Sequence, residues 1–322
     1  MIVQKGGACY NGSMLGNGAV RLEVVRVGKD MTDFEGKNVL LTGGSSGIGK
    51  ATAKLLAGAG ANVWIVARDQ NKIALALDEI RSVALRRDEQ IVEGLSLDVT
   101  DYPRVVAAVD GLVQGNHIPD YLFNIAGAAR PGYFQELPLH VFRETMERNF
   151  FGTLHTCMAV VPLMMARRRG HIVNTASGAA LVGVFGFTAY CASKFAVRGF
   201  SDALRTELKP YGVRVSVLYP PDTDTPGLAQ ENVGKPPETF ALSGSVKAMT
   251  PEQVAGELLK GVAKGRPAIL PGFESKLMYV LVGLLGHKLD IYLDWVVRNT
   301  QKKYGGPRPV YLTAPANKFP GK

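Results

Sequence analysis

Seven short runs of apolar residues recur along the chain between Lys37 and Ile269. The runs are NVLLTG, NVWIVAR, IVEGLSL, DYLFNIAG, HIVNTAS, VRVSVLYP and RPAIL. They are continuous rather than alternating, which is typical of strands that are covered on both faces. The helical patterns between them are long enough to cross from one parallel strand to the next. This alternation predicts an α/β fold with a doubly wound parallel sheet, flanked by helices and joined by right-handed connections.

One domain accounts for most of this pattern, because no long linker or repeat interrupts residues 34–271. Residues 1–33 contain several Gly and Asn residues and no sustained hydrophobic period, which predicts a flexible extension or a translation start at Met31. Residues 228–249 form an insert with Gly and Pro, for which we expect a mobile lid without regular structure. Residues 272–322 are expected to form a C-terminal helix and tail.

Composition and charge narrow the class of protein. The 322 residues are 46% hydrophobic, with a mean hydropathy of +0.06, which is enough to bury a full core. Lys and Arg number 37 against 28 Asp and Glu, giving a net charge of +9. This charge suits an anionic ligand, acidic lipid headgroups or simply a solvated basic surface. Because no recognition motif accompanies it, the charge does not predict nucleic-acid binding.

The cysteines argue against a metal site or a disulfide framework. Cys9, Cys157 and Cys191 are widely spaced and include no CxxC pair, so a reducing compartment is expected. We interpret Cys191, beside Tyr190, as a small filler rather than a nucleophile. The N-terminal residues do not combine a basic start, an apolar centre and a small-residue cleavage site, so we expect the protein to lie on the cytoplasmic side of the membrane.

A glycine-rich turn follows the first apolar run of the domain. In TGGSSGIGKA, Gly43, Gly47 and Gly49 are spaced G-x-x-x-G-x-G between a predicted strand and a predicted helix. Glycines permit close approach of a ligand to the backbone, and the N–H groups at a helix N-terminus attract a diphosphate. A glycine motif alone is weak evidence, but its strand-to-helix context favours a dinucleotide site over a simple tight turn.

The end of the second apolar run bears on which dinucleotide is bound. Arg68 stands where a carboxylate would hold a ribose 2′-hydroxyl and where a guanidinium can pair with the 2′-phosphate of NADP. Arg68 therefore favours NADPH. The neighbouring Asp69 is the competing carboxylate, and its alternative role is to cap the following helix.

Four polar residues suggest proton-transfer chemistry. TAYCASK places Tyr190 and Lys194 four residues apart, on one face of a helix. A phenol with its reference pKa of about 10 is a poor catalyst at neutral pH, but an adjacent ammonium stabilises the phenolate. Ser177 ends the run HIVNTAS and can hydrogen-bond a carbonyl oxygen, and Asn149 can anchor a water that supplies protons. Taken singly, each residue also has a purely structural explanation.

Together, TGGSSGIG, LDV, NIAG, Asn149, Ser177 and YCASK resemble the ordered motifs of the short-chain dehydrogenase/reductase family, across about residues 35 to 270. The family often carries NNAG or NAAG where this chain has NIAG, with Ile125 at the variable place. The resemblance implies a Rossmann-type fold, with Tyr190 as general acid, Lys194 as its pKa modulator and ribose anchor, Ser177 as the carbonyl orienter and Asn149 as the relay residue. It implies a nicotinamide cofactor bound by Gly43, Ser45, Ser46, Gly47, Ile48, Gly49, Arg68, Asp98, Val99, Asn124, Gly127, Tyr190, Lys194, Pro220, Thr223 and Thr225, with Asp98 and Val99 near the adenine.

The loop YPPDTDTPG, residues 219–227, follows the sixth run and is called the proline–aspartate loop below. Members of the family commonly carry Pro-Gly here, whereas this chain has Pro221 in place of the glycine. Its position implies that Thr223 and Thr225 hold the nicotinamide carboxamide. The whole string resembles the branch of the family that reduces 3-oxosphinganine, a long-chain amino ketone, to sphinganine. Asp222 or Asp224 can pair with the substrate ammonium, and helix capping or turn chemistry is the alternative.

A lipid substrate requires access to a membrane. The uncharged run from Leu277 to Gly286 has ten residues, against roughly twenty needed to span hydrocarbon. A narrow polar stripe on one predicted helix leaves a broad apolar face; it consists of Lys276, Gly283, His287, Asp290, Asp294 and Arg298. This pattern favours peripheral membrane contact, at the endoplasmic reticulum in a eukaryote or the inner membrane in a bacterium. A subunit contact and ordinary core packing are the alternatives.

These observations favour an NADPH-dependent ketoreductase of a sphingoid ketone. The resemblance to the family implies a homodimer or homotetramer. A reductase of another hydrophobic ketone, such as a steroid or a 3-oxoacyl compound, is the alternative within enzymes. From a different class, a catalytically silent nucleotide-binding scaffold or redox sensor has the same fold. The intact set of Asn149, Ser177, Tyr190 and Lys194 argues against a silent protein.

Overall fold

The computed structural model describes residues 9–14, 20–25, 34–243, 248–286 and 288–304. The strands are β1 Cys9–Met14, β2 Val20–Val25, β3 Asn38–Thr42, β4 Asn62–Ala67, β5 Val92–Ser96, β6 Tyr121–Asn124, β7 Gly170–Thr175, β8 Val213–Leu218 and β9 Ala268–Ile269. The helices are α1 Gly47–Gly58, α2 Gln70–Ser82, α3 Tyr102–Gln114, α4 Leu139–Met146, α5 Gly152–Ala166, α6 Thr188–Leu208, α7 Pro226–Asn232, α8 Pro237–Ser243, α9 Pro251–Ala263, α10 Gly272–Leu285 and α11 Lys288–Tyr304.

The central sheet contains each of the seven predicted strands. Its order is β5-β4-β3-β6-β7-β8-β9, and every neighbouring pair is parallel. Along the chain, β4 and β5 are therefore added on one side of β3. The strands from β6 to β9 are then added on the other side of β3. The prediction of a doubly wound parallel sheet is confirmed, and the change of direction lies between β3 and β6, where such folds bind ligands.

The strands are mainly apolar because helices cover both faces of the sheet. Leu41 on β3 faces a core cluster that includes side chains of α1 and α9, and these two helices pack on each other. Its neighbour Leu40 faces the opposite cluster with Trp64, where α3 packs on α5. Alternate residues of one strand thus enter two different cores, so most positions on both faces are apolar.

Two segments differ from the sequence-based expectation. Within residues 228–249 the structure contains most of α7 and all of α8, so the expectation of a loop without regular structure is wrong there. Helix α7 begins where Thr225 accepts a hydrogen bond from the Leu228 amide and Pro226 occupies the first turn. Both are strong local signals for a helix start, because they satisfy or remove amide groups that the first turn leaves free.

The single C-terminal helix is also a wrong prediction, because the segment forms two helices, α10 and α11. They are separated at Gly286, which has φ +51° and ψ −131°. A side chain would strain this backbone, so glycine ends the first helix here. The proposed polar stripe is therefore divided between two axes, and His287 lies outside the described residues.

The N-terminal segment contains two paired strands among its described residues. β1 and β2 are antiparallel, with Cys9 opposite Val25 and Met14 opposite Val20. They lie within residues 1–33, for which the sequence predicts a flexible extension. The boundary at residue 34 stays a prediction.

One helix among the described residues is long and apolar enough to span a bilayer by length and composition alone. It runs for 28 residues from Leu139 to Ala166 and includes α4, a π-helical turn and α5. Cys157, Val160 and Met164 of this helix are buried in the core against the sheet. We therefore assign it to the core of the domain.

Candidate active site

The candidate site lies where the carboxyl ends of β3, β6, β7 and β8 meet at one edge of the sheet. Thr42 ends β3, and its hydroxyl accepts hydrogen bonds from the amides of Ile125 and Ala126, just beyond β6. Ser177 follows β7, and the proline–aspartate loop follows β8. The parallel arrangement brings these distant segments together because all four strands point the same way.

The glycine loop, residues 43–49, fits a diphosphate. Gly43 and Gly47 have φ of +74° and +52°, and a Cβ on Gly49 would lie 2.1 Å from the Gly43 carbonyl oxygen. A Cβ on Gly47 would lie 2.9 Å from Thr225 Cγ2. Ser46 caps α1 without a side-chain hydrogen bond, so its hydroxyl does not compete for the first amides of the helix. The loop is thus a bare backbone cradle at a helix N-terminus, and the residues present fit a dinucleotide.

Arg68 lies at the end of β4 beside this cradle. Its Nη1 is 3.6 Å from Asp98 Oδ2, and its side chain is largely exposed. Burial opposes ionisation of Asp98, but hydrogen bonds from Thr100 and the charges of Arg68 and Arg148 hold its pKa below the ordinary value. Asp69 caps α2 by accepting hydrogen bonds from the amides of Asn71 and Lys72. The carboxylate is therefore engaged by the helix, and the guanidinium is the exposed group next to the cradle.

Ser177 and Tyr190 share a hydrogen bond between their side-chain hydroxyls. Ser177 follows β7, and its oxygen also accepts a hydrogen bond from the Ala179 amide at 3.2 Å. Tyr190 lies in the first turn of α6, where its ring packs on Phe187 with centroids 5.5 Å apart. Two hydroxyls from different elements therefore converge on one point, where a carbonyl oxygen could accept from both.

Burial and charge act on this tyrosine in opposite directions. Burial raises the pKa of Tyr190 above its ordinary value, and the hydrogen bond with Ser177 acts against that increase. The carboxylates of Glu231 and Asp222 and the thiol of Cys191 raise the pKa further. The tyrosine is thus held as a phenol, which is the protonated form that a general acid requires.

Lys194 is fully buried beneath the tyrosine. Its Nζ donates to the Thr175 carbonyl oxygen at 2.8 Å and lies 5.6 Å from the Tyr190 ring centroid. Burial lowers the pKa of Lys194 to about 8. The ammonium therefore contacts the face of the ring rather than the hydroxyl, and its role as pKa modulator stays a prediction.

Asn149 lies in the π-helical turn Glu147–Phe151 between α4 and α5. Its Oδ1 accepts from the Ala128 amide, and its Nδ2 donates to the Ala128 carbonyl oxygen and to Ser193 Oγ, each at 2.9 Å. Wider turns of this kind often occur at functional sites because they displace one residue from the regular helix. Here the turn directs Asn149 toward Gly127, where an added Cβ would lie 3.1 Å from Asn149 Oδ1 and 3.3 Å from Lys194 Nζ.

The proline–aspartate loop is ordered by its own hydrogen bonds. Thr223 is buried and donates to the Pro221 carbonyl oxygen at 2.8 Å, and its backbone bridges to Met249. Thr225 caps α7 while its methyl group lies against the glycine loop. The aspartates are both exposed, and Asp222 alone of the two has a carboxylate that acts on Tyr190.

Other residues with a predicted cofactor role are occupied by structural contacts. Asn124 is buried; its Nδ2 donates to Asn174 Oδ1 at 2.9 Å, and its Oδ1 accepts from Thr156 at 2.7 Å. Val99 is buried, and its carbonyl oxygen is 2.9 Å from His155 Nδ1. Ile48 packs against the core, and Pro220, after β8, is half-buried. At the edge of the sheet, these residues therefore offer a cofactor their backbone rather than a free side chain.

Cys191 is buried on α6 with Ala179 and Phe187. Its sulfur accepts a hydrogen bond from the Val184 amide at 3.4 Å, and burial raises the pKa of the thiol. A thiol of this kind is a poor nucleophile, which supports its interpretation as a filler.

Sequence analysis did not identify three residues that complete the site. Glu231 and Lys235 come from α7 and the turn after it, and Phe187 lies just before α6. Lys235 Nζ is 3.2 Å from Glu231 Oε1 and 3.8 Å from Asp222 Oδ2. The spacing of Glu231 and Lys235 is a usable signal for an i,i+4 ion pair. Their approach to Tyr190 depends on the tertiary fold.

Comparisons with known proteins bear on the family and the fold of the chain. A family model described as short chain dehydrogenase matches residues 37–235. The chain is 41% identical over 269 residues to a 3-ketodihydrosphingosine reductase of Dictyostelium discoideum, covering 79% of this chain and 80% of that protein. It is 43% identical over 231 residues to the Mus musculus protein of the same name, covering 71% and 69% respectively.

Two further comparisons concern a fish protein and a solved structure. The chain is 42% identical over 233 residues to a 3-dehydrosphinganine reductase of Danio rerio, covering 72% of this chain and 70% of that protein. A short-chain dehydrogenase from Streptomyces avermitilis, determined by crystallography, matches with a TM-score of 0.66 and 24% identity, covering 84% of this chain and 98% of that chain. This last likeness shows the fold alone.

Proposed function

The chain belongs to the short-chain dehydrogenase family of oxidoreductases, and on that premise we propose that it reduces the ketone of 3-oxosphinganine to the alcohol of sphinganine, with NADPH. The observation that carries this proposal is the convergence of the Ser177 and Tyr190 hydroxyls, beside the bare glycine loop and above the buried Lys194. The names of the relatives supply the choice of ketone.

Each polar residue has one task in the proposed reaction. Ser177 donates a hydrogen bond that orients the ketone oxygen, and Tyr190 transfers its phenolic proton to that oxygen as the alkoxide develops. Lys194 stabilises the resulting phenolate, and Asn149 anchors the water through which a proton returns. The glycine loop, Arg68, Lys194, Thr223 and Thr225 would hold the cofactor. When bound, NADPH supplies the hydride that reduces the ketone carbon.

Arg68 is the reason for proposing NADPH rather than NADH. Its guanidinium is exposed at the end of β4, whereas the adjacent carboxylate of Asp69 is engaged in capping α2. A 2′-phosphate can pair with this guanidinium through two parallel hydrogen bonds. The exposed pair with Asp98 contributes little stability, so it does not prevent the guanidinium from turning to a phosphate.

Asp222 is the better of the two aspartates for the substrate ammonium. The ammonium of 3-oxosphinganine is on the carbon next to the ketone, so it must lie near Tyr190. Asp222 is half exposed and acts on the pKa of Tyr190. The Asp224 amide donates to the Met249 carbonyl oxygen, and the carboxylates that act on Tyr190 are those of Glu231 and Asp222.

The two C-terminal helices support peripheral contact with a membrane, on its cytoplasmic side. Met278 and Val282 of α10 pack on the core around Tyr219. The exposed apolar side chains of α10 and α11 include Phe273, Val280, Leu284, Ile291, Tyr292 and Trp295. Exposed Lys276, Lys288 and Arg298 lie among them, a combination that suits an interface with anionic lipid. Because α11 packs against α8, this surface adjoins the helices next to the site, where a lipid chain could enter.

A homodimer or homotetramer formed through α5 and α6 completes the proposal. Met158 of α5 and Phe195 of α6 are large apolar side chains that stay exposed in the single chain. Burying them against a second copy would remove apolar surface from water. Light scattering during gel filtration measures this assembly.

One experiment tests the proposed function. The purified full chain is supplied with 3-oxosphinganine in mixed micelles, and oxidation of NADPH and of NADH is followed by absorbance. Turnover with NADPH in clear preference to NADH is expected. A panel containing a steroid ketone and a 3-oxoacyl compound is run in parallel. Turnover of one of these ketones with none of 3-oxosphinganine would overturn the substrate, and no turnover of any ketone would overturn the reaction.

A further inference from the structure

Lys235 is a buried cation at the edge of the candidate site. It follows α7, and its side chain is 2% exposed although the neighbouring Asn232 and Val233 are exposed. A buried ammonium is costly unless opposite charges compensate it. Glu231, 18% exposed, and Asp222, 51% exposed, supply that compensation at 3.2 and 3.8 Å.

The same ammonium lies between two aromatic rings. Lys235 Nζ is 5.8 Å from the ring centroid of Phe187 and 5.7 Å from that of Phe240, within the range of cation–π attraction. The cation thus joins the proline–aspartate loop, α7, the residue that precedes α6, and α8. Phe187 packs directly on Tyr190, with ring centroids 5.5 Å apart.

The charges around Tyr190 come from several elements. Lys194 lies on the same helix, Cys191 is its neighbour, and Ser177 shares its hydrogen bond. Glu231 reaches it from α7 and Asp222 from the proline–aspartate loop. On α8, the buried Glu238 accepts a hydrogen bond from the Tyr133 hydroxyl at 3.0 Å. Lys235 is the cation that is ion-paired to both Glu231 and Asp222 among the described residues.

We propose that Lys235 is a positioning residue for the catalytic tyrosine: its ammonium fixes the Glu231 and Asp222 carboxylates and neutralises part of their charge beside Tyr190. This inference rests on the proposed function, because it assigns Tyr190 the role of general acid. Lys235 itself does not touch the reacting atoms. It acts through the two carboxylates and through Phe187.

Each change of charge around Tyr190 should move the pH profile of kcat in a definite direction. Lys235→Met keeps most of the length of the side chain but leaves two carboxylates without their cation, which disfavours negative charge on Tyr190. The high-pH decline of kcat then moves to higher pH, and kcat at neutral pH falls because the tyrosine is a weaker acid. Glu231→Gln removes a negative charge and moves the decline to lower pH. Each variant is expected to move the decline by about 0.5 pH unit, which is the effect of one nearby charge that solvent partly screens.

The experiment measures kcat for reduction of 3-oxosphinganine from neutral to alkaline pH in five proteins and one control variant. They are the wild type, Lys235→Met, Lys235→Arg, Glu231→Gln and the double variant Glu231→Gln/Lys235→Met. The high-pH decline belongs to the coupled pair of Tyr190 and Lys194, and nearby negative charge moves both groups in the same direction. Lys260→Met, which breaks an exposed lysine–glutamate pair on α9, is the matched control and should leave the profile unchanged.

Opposite movements in the two single variants, with the double variant and Lys235→Arg near the wild type, would support the proposal. A profile that stays at the wild-type pH in both single variants, or a double variant as displaced as Lys235→Met, would overturn it. If Lys235→Met fails to fold, the profile of Glu231→Gln decides between these outcomes.

The role of Lys235 can be tested even if 3-oxosphinganine is not the substrate. If the wild type reduces another ketone of the panel instead, the same five profiles are measured with that ketone. If it reduces none, the tyrosinate absorbance of each protein is titrated against its Tyr190→Phe counterpart. The same opposite movements are expected there, and their absence would overturn the positioning role.

Discussion

The Lys194 ammonium lies 5.6 Å from the centre of the Tyr190 ring and is held there by a 2.8 Å hydrogen bond to the Thr175 carbonyl oxygen. One helical turn brings the two residues to the same face of α6, and the end of β7 fixes the ammonium from below. The tyrosine hydroxyl is left to face Ser177 and a substrate. Replacing Tyr190 by Phe therefore separates the role of the hydroxyl from the packing of the ring.

Tyr190→Phe keeps the ring on Phe187 and over Lys194 and removes only the proton donor. We expect kcat to fall by at least about 100-fold, the typical contribution of a positioned acid, with an unchanged thermal midpoint. NADPH oxidation and thermal unfolding measure the two quantities. Tyr211→Phe, at an exposed tyrosine, is the control and should keep full activity. Undiminished turnover in Tyr190→Phe would refute the assigned chemistry.

Arg68→Gln tests the choice of cofactor. Loss of a charge-assisted contact with the 2′-phosphate should raise the KM for NADPH by about tenfold or more, whereas the KM for NADH stays the same. Because the Arg68–Asp98 pair is exposed, little stability is lost. Steady-state kinetics with both cofactors provide the comparison within one variant. An equal loss with NADH would show that Arg68 supports the fold of the site rather than the phosphate.

Asp222→Asn and Asp224→Asn form a matched pair within one loop. If Asp222 holds the substrate ammonium, its variant should raise the KM for 3-oxosphinganine by about tenfold, as expected for loss of a charged hydrogen bond. The KM for a ketone without an amine should stay unchanged in the same variant, which controls for the contact between Asp222 and Lys235. Asp224→Asn should behave like the wild type. Unchanged kinetics in both variants would leave the aspartates with a purely structural role.

His171 should make the protein sensitive to acid. It is buried on β7, its Nε2 is 2.7 Å from Ser216 Oγ, and its Nδ1 is without a partner among the described residues. Burial, aided by the charge of Arg214, lowers the pKa of His171 to about 3. Between pH 6.5, the ordinary pKa of histidine, and about pH 3, His171 binds a proton in the unfolded chain but not in the native protein. Stability is therefore lost as the pH falls through this window.

The expected loss from this group is up to about 5 kcal/mol across the whole window. Urea unfolding at a series of acidic pH values measures the slope, and His171→Leu should reduce it. His140→Leu, at an exposed histidine, is the control and should preserve it. Equal slopes in the wild type and His171→Leu would assign the acid sensitivity to other groups.

Ile291→Ala/Trp295→Ala tests membrane contact. Their side chains are 73% and 60% exposed on α11, so shortening them removes apolar surface without opening the core. The wild type should float with vesicles of phosphatidylcholine and phosphatidylserine, and the double variant should float much less. Leu75→Ala, at an exposed leucine of α2, is the control. A variant that still floats but elutes as a smaller species would favour a subunit contact instead.

The sequence predicted the sheet well because the physical signal is local. A strand covered on both faces is mainly apolar rather than alternating, so seven runs were visible without knowledge of their neighbours. Likewise, the glycine loop is specified by steric limits at single positions such as Gly49, and the Tyr190–Lys194 pair follows from helical spacing. The motifs of the family then fixed which of these features belong to one site.

The expectations that proved wrong concern segments whose local signals were weak or competed. Gly286 ended a helix that the apolar pattern alone would have continued, because its backbone angles strain any residue with a side chain. At the start of α7, the capping hydroxyl of Thr225 and the proline after it outweighed the nearby Gly and Pro residues that suggested a loop.

By itself, the sequence determined the class of fold, the seven strands of the central sheet and the family, and it named the residues proposed to transfer a proton. These depend on periodicity, steric limits and short spacings, which are properties of consecutive residues. The tertiary structure alone decided that Lys235 would be buried against Asp222 and Phe187, and that Glu231 would act on Tyr190. Burial and charge between distant segments exist only once the chain has folded, because they depend on which elements exclude water from which side chains.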